Sequence, residues 1–470
     1  MLSVRASVIY RSRQIGGPTV GNFTSVEGPR PGTTAAGRTI AEHGYREDEY
    51  VVRGTADLFA HDADWRPVVH RAAVPFVTRI LVRRPADAAA ATGSVVIEPL
   101  HPSGDMASAW PRTGRMLTRE GWSWVGVTQD VAGLAATKAG DPERYGELDI
   151  PEAGLGFDIV AQVASWLWTG AVEGLVLDHL FMTGASYTGT FQRVFLGEGF
   201  HARARRPDGG PAVEGYLIQI SSGGFELGGY HPLSSASGRP PLDHPARVIQ
   251  PRDVPVIELL SENEAETNLA ARRDDSDAPG DRYRLYEVPG TCHMSRGESR
   301  RSTLPPTVEE PSTFPMYALA GGALDNLRRW AVEGDAPPRA PRIELLPDPD
   351  AGPHGEVPGS LPCARDEHGN ALGGVRMPEV DVPVASYYPH STLREPAMTG
   401  PPGRRPLPLG SLMGAMTPFA PDKLRELYGT PEAYREAYAR RTAELVAERW
   451  ILPGDADRML AQAATVAFAP

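Results

Sequence analysis

The stretch Leu180-Phe181-Met182-Thr183-Gly184-Ala185-Ser186-Tyr187-Thr188-Gly189 decides how the rest of this chain is read. An apolar run of the kind that forms a buried parallel strand stops at Gly184-Ala185-Ser186, and an amphipathic segment over residues 190–196 starts at once. Strand, sharp turn and helix in immediate succession are the layout of a nucleophile elbow. There a serine occupies a strained turn and its hydroxyl projects above the sheet. Such a turn needs small residues where helix and strand approach each other. Gly184 meets that need two positions before Ser186. Two positions after it stands Thr188, with the glycine displaced to Gly189, so the G-x-S-x-G spelling is broken. A serine in a glycine-rich turn is more often only a turn, and the motif needs the context of its flanks.

The flanks alternate between strand and helix signals. Upstream lie Gly93-Ser94-Val95-Val96-Ile97-Glu98-Pro99-Leu100 and Trp122-Ser123-Trp124-Val125-Gly126-Val127, followed by apolar residues at helical spacing from Val160 to Trp168. Downstream come Gly215-Tyr216-Leu217-Ile218-Gln219-Ile220, Val254-Pro255-Val256-Ile257-Glu258-Leu259-Leu260, Arg284-Leu285-Tyr286-Glu287-Val288 and a closing helix over 317–332. This pattern predicts an α/β fold with a mostly parallel central sheet and helices on both faces. Short antiparallel strands are expected first, near 50–54 and 77–82. Residues 1–45, rich in Gly, Pro, Thr and Ser, read as an irregular N-terminal arm. The core then spans 46–336, with lid-like insertions near 131–155 and 222–250, since long irregular segments in a compact domain are usually functional. Residues 337–470 form a Pro-rich linker and a C-terminal extension packed on the core, with helices near 422–427 and 431–448.

Composition excludes several function classes. Lys+Arg 47 against Asp+Glu 59 gives a net charge of −12, which disfavours a nucleic-acid partner and leaves no polybasic membrane patch. Two cysteines, Cys292 and Cys363, offer no disulfide framework. No apolar run approaches the roughly 18 residues of a membrane span, and the N-terminus has no apolar signal-peptide core. A cytoplasmic protein without a membrane partner is expected. No His-Glu-x-x-His, P-loop or dinucleotide fingerprint occurs, and Asp274-Asp275-Ser276-Asp277 reads as a charged loop, so neither metal nor cofactor is expected. The oligomeric state is not readable.

A nucleophilic serine needs a base for its proton, and that base needs an orienting carboxylate. When these groups follow strands of one parallel sheet, the chain order is Ser, Asp/Glu, His. Of the histidines beyond the acid candidates, His354, His368 and His390 do not follow an apolar strand, whereas His293 lies just past the strand ending at Val288 and its Pro289-Gly290 turn. Glu264 occupies the usual acid position after Leu260, with Glu262 and Glu266 in reach on the same loop and Glu226 an alternative after the preceding strand. Most glutamates are solvated surface acids, and each of these must be weighed against that reading. The oxyanion of a tetrahedral intermediate needs preorganised donors. The Tyr187 N–H is one candidate, and Leu100 or His101 after the Val95-Val96-Ile97 strand is the other.

Several segments resemble one known family. They are Val95-Val96-Ile97-Glu98-Pro99-Leu100, Asp141-Pro142-Glu143-Arg144-Tyr145-Gly146, the Gly-Ala-Ser elbow, the Val-Pro-Val strand with its acidic end, Ala340-Pro341-Arg342-Ile343-Glu344 and residues 364–376. Together, and in this order from about residue 45 to the C-terminus, they are similar to the bacterial "alpha/beta hydrolase domain" family of esterase-like proteins. The resemblance implies an α/β-hydrolase fold and a triad of Ser186, Glu264 and His293. The family commonly has Trp and Asn where this chain has Pro99 and His101, beside the expected oxyanion loop. The expected function is a serine hydrolase acting on a small-molecule carboxylic ester. The same triad would serve a thioesterase, a lactonase or an acyltransferase. A non-catalytic binding protein on the same scaffold is the reading of another class.

Overall fold

A computed structural model of the chain describes residues 15, 22–225, 228–295, 305–347, 360–399 and 407–468. Ten strands form one sheet: β1 (Phe23–Pro31), β2 (Tyr45–His61), β3 (Pro67–Pro85), β4 (Ser94–Pro99), β5 (Ser123–Val127), β6 (His179–Ala185), β7 (Gly215–Gln219), β8 (Val256–Ser261), β9 (Ser276–Ala278) and β10 (Asp281–Val288). Their spatial order is β1-β2-β3-β5-β4-β6-β7-β8-β10-β9. The six strands from β5 through β10 along that order run parallel. Strands β1 to β3 at one edge and β9 at the other are antiparallel to their neighbours.

Because side chains alternate across a strand, each parallel strand feeds two cores. Val95, Ile97, Leu180, Met182, Tyr216 and Ile218 enter the core covered by α2 (Leu155–Leu167) and α3 (Tyr187–Gly197). Val96, Trp124, Phe181, Leu217 and Ile257 enter the other, under α1 (Trp110–Arg119) and α5 (Met316–Val332). That second core also takes in Leu424, Tyr434, Leu445 and Met459 from the helices Pro421–Tyr428, Pro431–Ala447 and Pro453–Ala463, and Trp450 and Ile451 between the last two. Full burial of a large apolar side chain stabilises by roughly 1.5–3 kcal/mol, so these C-terminal residues are part of what holds the sheet.

The antiparallel edge differs from the sequence expectation. Strands expected over 50–54 and 77–82 run the full length of β2 and β3, paired in register through most of their course. Glu47, Asp48 and Glu49 broke the apolar pattern, yet they are buried, and Glu47 is matched by Arg83 at 2.9 Å, Asp48 by Arg84 at 3.3 Å and Glu49 by Arg79 at 3.6 Å. Buried charges of this kind survive because each has a counter-charge across the strand pair. The arm expected to be irregular contains β1, an outer strand on which Pro29 and Pro31 are tolerated because one side of it makes no ladder, and a short helix at Ala35–Ile40. The 131–155 segment contains helices at Val131–Gly140 and Pro142–Tyr145, the first capped by the Asp130 carboxylate. Among the described residues no helix is long and apolar enough to cross a membrane.

Candidate active site

Ser186 stands at the carboxyl end of β6, where ligands gather in parallel sheets. Its backbone has φ 59° and ψ −120°. A non-glycine residue held at such angles costs about 1–3 kcal/mol and persists only where its surroundings over-determine it. Those surroundings are specific. The Ser186 N–H donates to the Gln219 carbonyl on β7 at 3.1 Å, and the Ser186 carbonyl accepts the first helical bond of α3 from Thr190 at 2.9 Å. At Gly184 a Cβ would meet Thr188 Oγ1 at 2.7 Å, and at Gly189 it would meet Ser221 Cβ at 2.7 Å and the Gln219 carbonyl at 2.8 Å.

Thr188, which breaks the expected spelling, closes the turn instead of loosening it. Its Oγ1 accepts the Ala185 N–H at 2.9 Å and lies 2.7 Å from the Ser108 hydroxyl. Ser108 in turn reaches the Ala185 carbonyl at 3.1 Å. The close helix-to-strand approach has moved one residue on, to Gly189. Sequence reasoning missed Ser108 and the role of Thr188; the displaced glycine was their only trace.

His293 comes to the elbow from the loop after β10. Its Nε2 lies 2.8 Å from Ser186 Oγ, and its Nδ1 lies 2.5 Å from Glu264 Oε1. Glu264 is the third residue of α4 (Glu262–Thr267), which starts where β8 ends. Its other oxygen accepts both the Ser261 N–H at 3.2 Å and the Ser261 hydroxyl. One carboxylate therefore serves two purposes: it caps its own helix and it receives the imidazole N–H. Burial pushes the Glu264 carboxyl up, but His293 and the two Ser261 donors outweigh it and hold the group below the usual carboxylate range. The Ser261-x-x-Glu264 spacing is a capping-box signature, a sequence signal that marks Glu264 as the glutamate capping α4.

The alternative acids have other partners. Glu262 receives Arg365 Nη2 at 2.5 Å and the Gly290 N–H at 2.7 Å, and Glu266 faces His390 Nε2 at 2.6 Å. Glu226 lies outside the described residues, as does His354. His368 sits in the C-terminal part with its ring beside Phe419. Oxygens of Glu262 and Glu266 and the Cys363 thiol lie within 4.8 Å of one another, the one such grouping among the described residues. The cations there are Arg365 and His390, and burial pushes the Cys363 thiol up, which opposes the thiolate a metal needs.

The oxyanion donors expected in the chain are only partly accommodated. The Tyr187 N–H opens α3, where no intrahelical acceptor exists for it. The Tyr187 side chain is held on three sides: its hydroxyl donates to Asp130 at 3.0 Å, its ring stacks on His231 at 3.8 Å, and His101 meets it edge-on at 5.6 Å. The Leu100 and His101 amides are a correction to the expectation. Leu100 N–H donates to the Val127 carbonyl and His101 N–H to the Met106 carbonyl, each at 2.8 Å. Pairing with β5 continues one residue past β4, and a tight turn over 101–106 takes the next amide.

Comparison with known proteins gives a family and a set of distant structural likenesses. A putative dienelactone hydrolase from Klebsiella pneumoniae subsp. pneumoniae is 14% identical, with 54% of this chain and 91% of that chain covered and a TM-score of 0.28. Fungal esterases from Rhizomucor miehei give 12% identity, 60% and 85% coverage and a TM-score of 0.33. A glucuronoyl esterase from Teredinibacter turnerae gives 14%, 46% and 50%, and 0.24. Likenesses this distant carry no argument about substrate. Among curated proteins no match was found. The family model described as "Alpha/beta hydrolase domain" matches residues 16–461, and with almost the whole chain inside it, this protein belongs to the alpha/beta hydrolase domain family.

Proposed function

We propose that the chain is a serine hydrolase that cleaves a small-molecule carboxylic ester through an acyl-enzyme. The observation that carries this reading is the relay Ser186 Oγ to His293 Nε2 at 2.8 Å and His293 Nδ1 to Glu264 at 2.5 Å. In the first half-reaction Ser186 Oγ bonds to the ester carbonyl carbon while its proton passes to His293 Nε2. Glu264 holds the imidazolium by its Nδ1–H. The oxyanion develops at the mouth of α3, where the Tyr187 N–H and the positive end of the helix favour negative charge. Collapse breaks the carbonyl carbon–oxygen bond to the alcohol, which leaves with the proton from His293. Water then attacks the acyl carbon as His293 takes its proton. Collapse breaks the bond between the acyl carbon and Ser186 Oγ, which takes the proton back from His293 as the acid leaves.

A fluorophosphonate that reacts with activated serines tests the reading directly. Stoichiometric labelling of the wild type, absent in Ser186→Ala, supports it, and an unlabelled wild type refutes it in favour of a binding role. Turnover of p-nitrophenyl esters against matched thioesters and lactones then assigns the leaving group.

A further inference from the structure

Helix α4, which carries Glu264, has only six residues. A helix this short does not hold its own conformation, so its orientation must come from tertiary contacts. Those contacts come from segments far along the chain. Arg365 Nη2 donates to Glu262 at 2.5 Å, and its Nη1 donates to the carbonyls of Gly369 at 2.9 Å and Tyr387 at 3.2 Å. Asn263 Nδ2 donates to the Ser411 carbonyl at 2.8 Å, and the Glu266 carbonyl accepts the Leu361 N–H at 2.9 Å. His390 Nε2 lies 2.6 Å from Glu266 Oε2 and its Nδ1 lies 2.6 Å from the Ser411 carbonyl.

His390 is thereby fastened at both ring nitrogens, Nε2 to Glu266 and Nδ1 to the Ser411 carbonyl and to Asn263 Nδ2, which lies 3.2 Å away. The same stretch also reaches the base. Met294 N–H donates to the Leu412 carbonyl at 2.8 Å, Gly414 N–H donates to the Met294 carbonyl at 3.4 Å, and a side chain at Gly414 would collide with Cys292. Glu262 ties the two loops together: its carboxylate accepts the Gly290 N–H at 2.7 Å and its own backbone N–H donates to the Thr291 hydroxyl oxygen at 3.2 Å.

We propose that His390 and Arg365 are positioning residues for the hydrolytic site: by clamping Glu266 and Glu262 they set where Glu264 stands against His293. This rests on the serine-hydrolase reading above. Rotation of about 100° per residue puts Glu262 and Glu266 on one face of α4 and Glu264 on the opposite one. Pulling the first face toward the C-terminal segment is what presents Glu264 to the imidazole. A displacement of the order of 1 Å in such a relay typically costs about 100-fold in rate.

The test uses the full-length chain, with p-nitrophenyl butyrate as substrate and a fluorophosphonate as active-site titrant. His390→Gln keeps one hydrogen bond but cannot bridge Glu266 and the Ser411 carbonyl, and Arg365→Lys keeps the charge but loses the fork. Each is expected to lower kcat per titrated site, and the first-order labelling rate of Ser186, by about 10- to 100-fold with KM unchanged. A residue that only supports the fold would reduce the amount of titratable protein and leave the labelling rate of each folded molecule at the wild-type value. That outcome overturns the proposal, even for a variant that folds poorly. A labelled wild type with normal variants removes only the positioning role, whereas an unlabelled wild type removes the hydrolase reading and this proposal with it.

Discussion

Replacing Glu264 by glutamine is the sharpest single perturbation of the site, because the surroundings dictate how the new amide must sit. The Ser261 N–H is a fixed backbone donor aimed at one carboxylate oxygen. In Glu264→Gln the carbonyl oxygen of the amide must take that position, since an NH₂ there would face a donor. The NH₂ is then left against His293 Nδ1, where the wild type has the other oxygen. To accept from it, Nδ1 must give up its proton, which moves to Nε2, the nitrogen 2.8 Å from Ser186 Oγ. The imidazole then presents a proton where it should receive one. Tautomer reversal of this kind lowers kcat by roughly 10,000-fold, about 5 kcal/mol of transition-state stabilisation. The assay is p-nitrophenol release at saturating ester, normalised by phosphonate titration. Glu262→Gln and Glu266→Gln are the comparison variants, with expected losses of no more than about 100-fold because they act only through the placement of α4. A Glu264→Gln variant within about tenfold of wild type, or one matched by Glu262→Gln, would refute the tautomer argument.

Three further outcomes are expected. The strain at Ser186 (φ 59°) predicts that Ser186→Gly is more stable than Ser186→Ala by about 1 kcal/mol, read as a higher Tm. Gly189→Ala places a Cβ 2.7 Å from Ser221 Cβ and should cost about 1–3 kcal/mol; a wild-type Tm would mean that α3 does not approach β7 as described. Burial raises the Glu98 carboxyl from 4.5 to about 7, against the Ala109 N–H, the Trp124 indole and Arg83. As pH climbs from 4.5 to about 7 the unfolded chain releases this proton and the folded chain keeps it. Wild-type stability therefore falls across that window relative to Glu98→Gln, by about 3 kcal/mol in total. Chemical denaturation of both proteins at pH 5 and pH 8 reads the difference, and a difference that does not change with pH contradicts it.

Local patterns were legible because they depend on neighbours in sequence. The run Leu180-Phe181-Met182 ending at a serine between small residues is a strand-turn-helix in any setting that buries it, and the apolar runs of β4, β5, β7, β8 and β10 mark the parallel sheet for the same reason. What escaped sequence reading was stabilised by distant partners. The charged start of β2 is a buried strand because Arg79, Arg83 and Arg84 stand across from it, and β1 is a strand because the outer side of β2 accepts it.

The amino-acid order by itself determined the parallel part of the sheet, the sharp bend at Ser186 and the candidates Ser186, Glu264 and His293 in their sequence along the chain. Only the tertiary structure decided which glutamate of α4 faces the imidazole and that the Leu100 and His101 amides are engaged elsewhere. Helical rotation is written in the sequence, but the direction of its zero depends on Arg365, His390 and Ser411, which lie far from α4 along the chain. The availability of an amide likewise depends on where the β4–β5 register ends, and that is settled by the packing of whole strands.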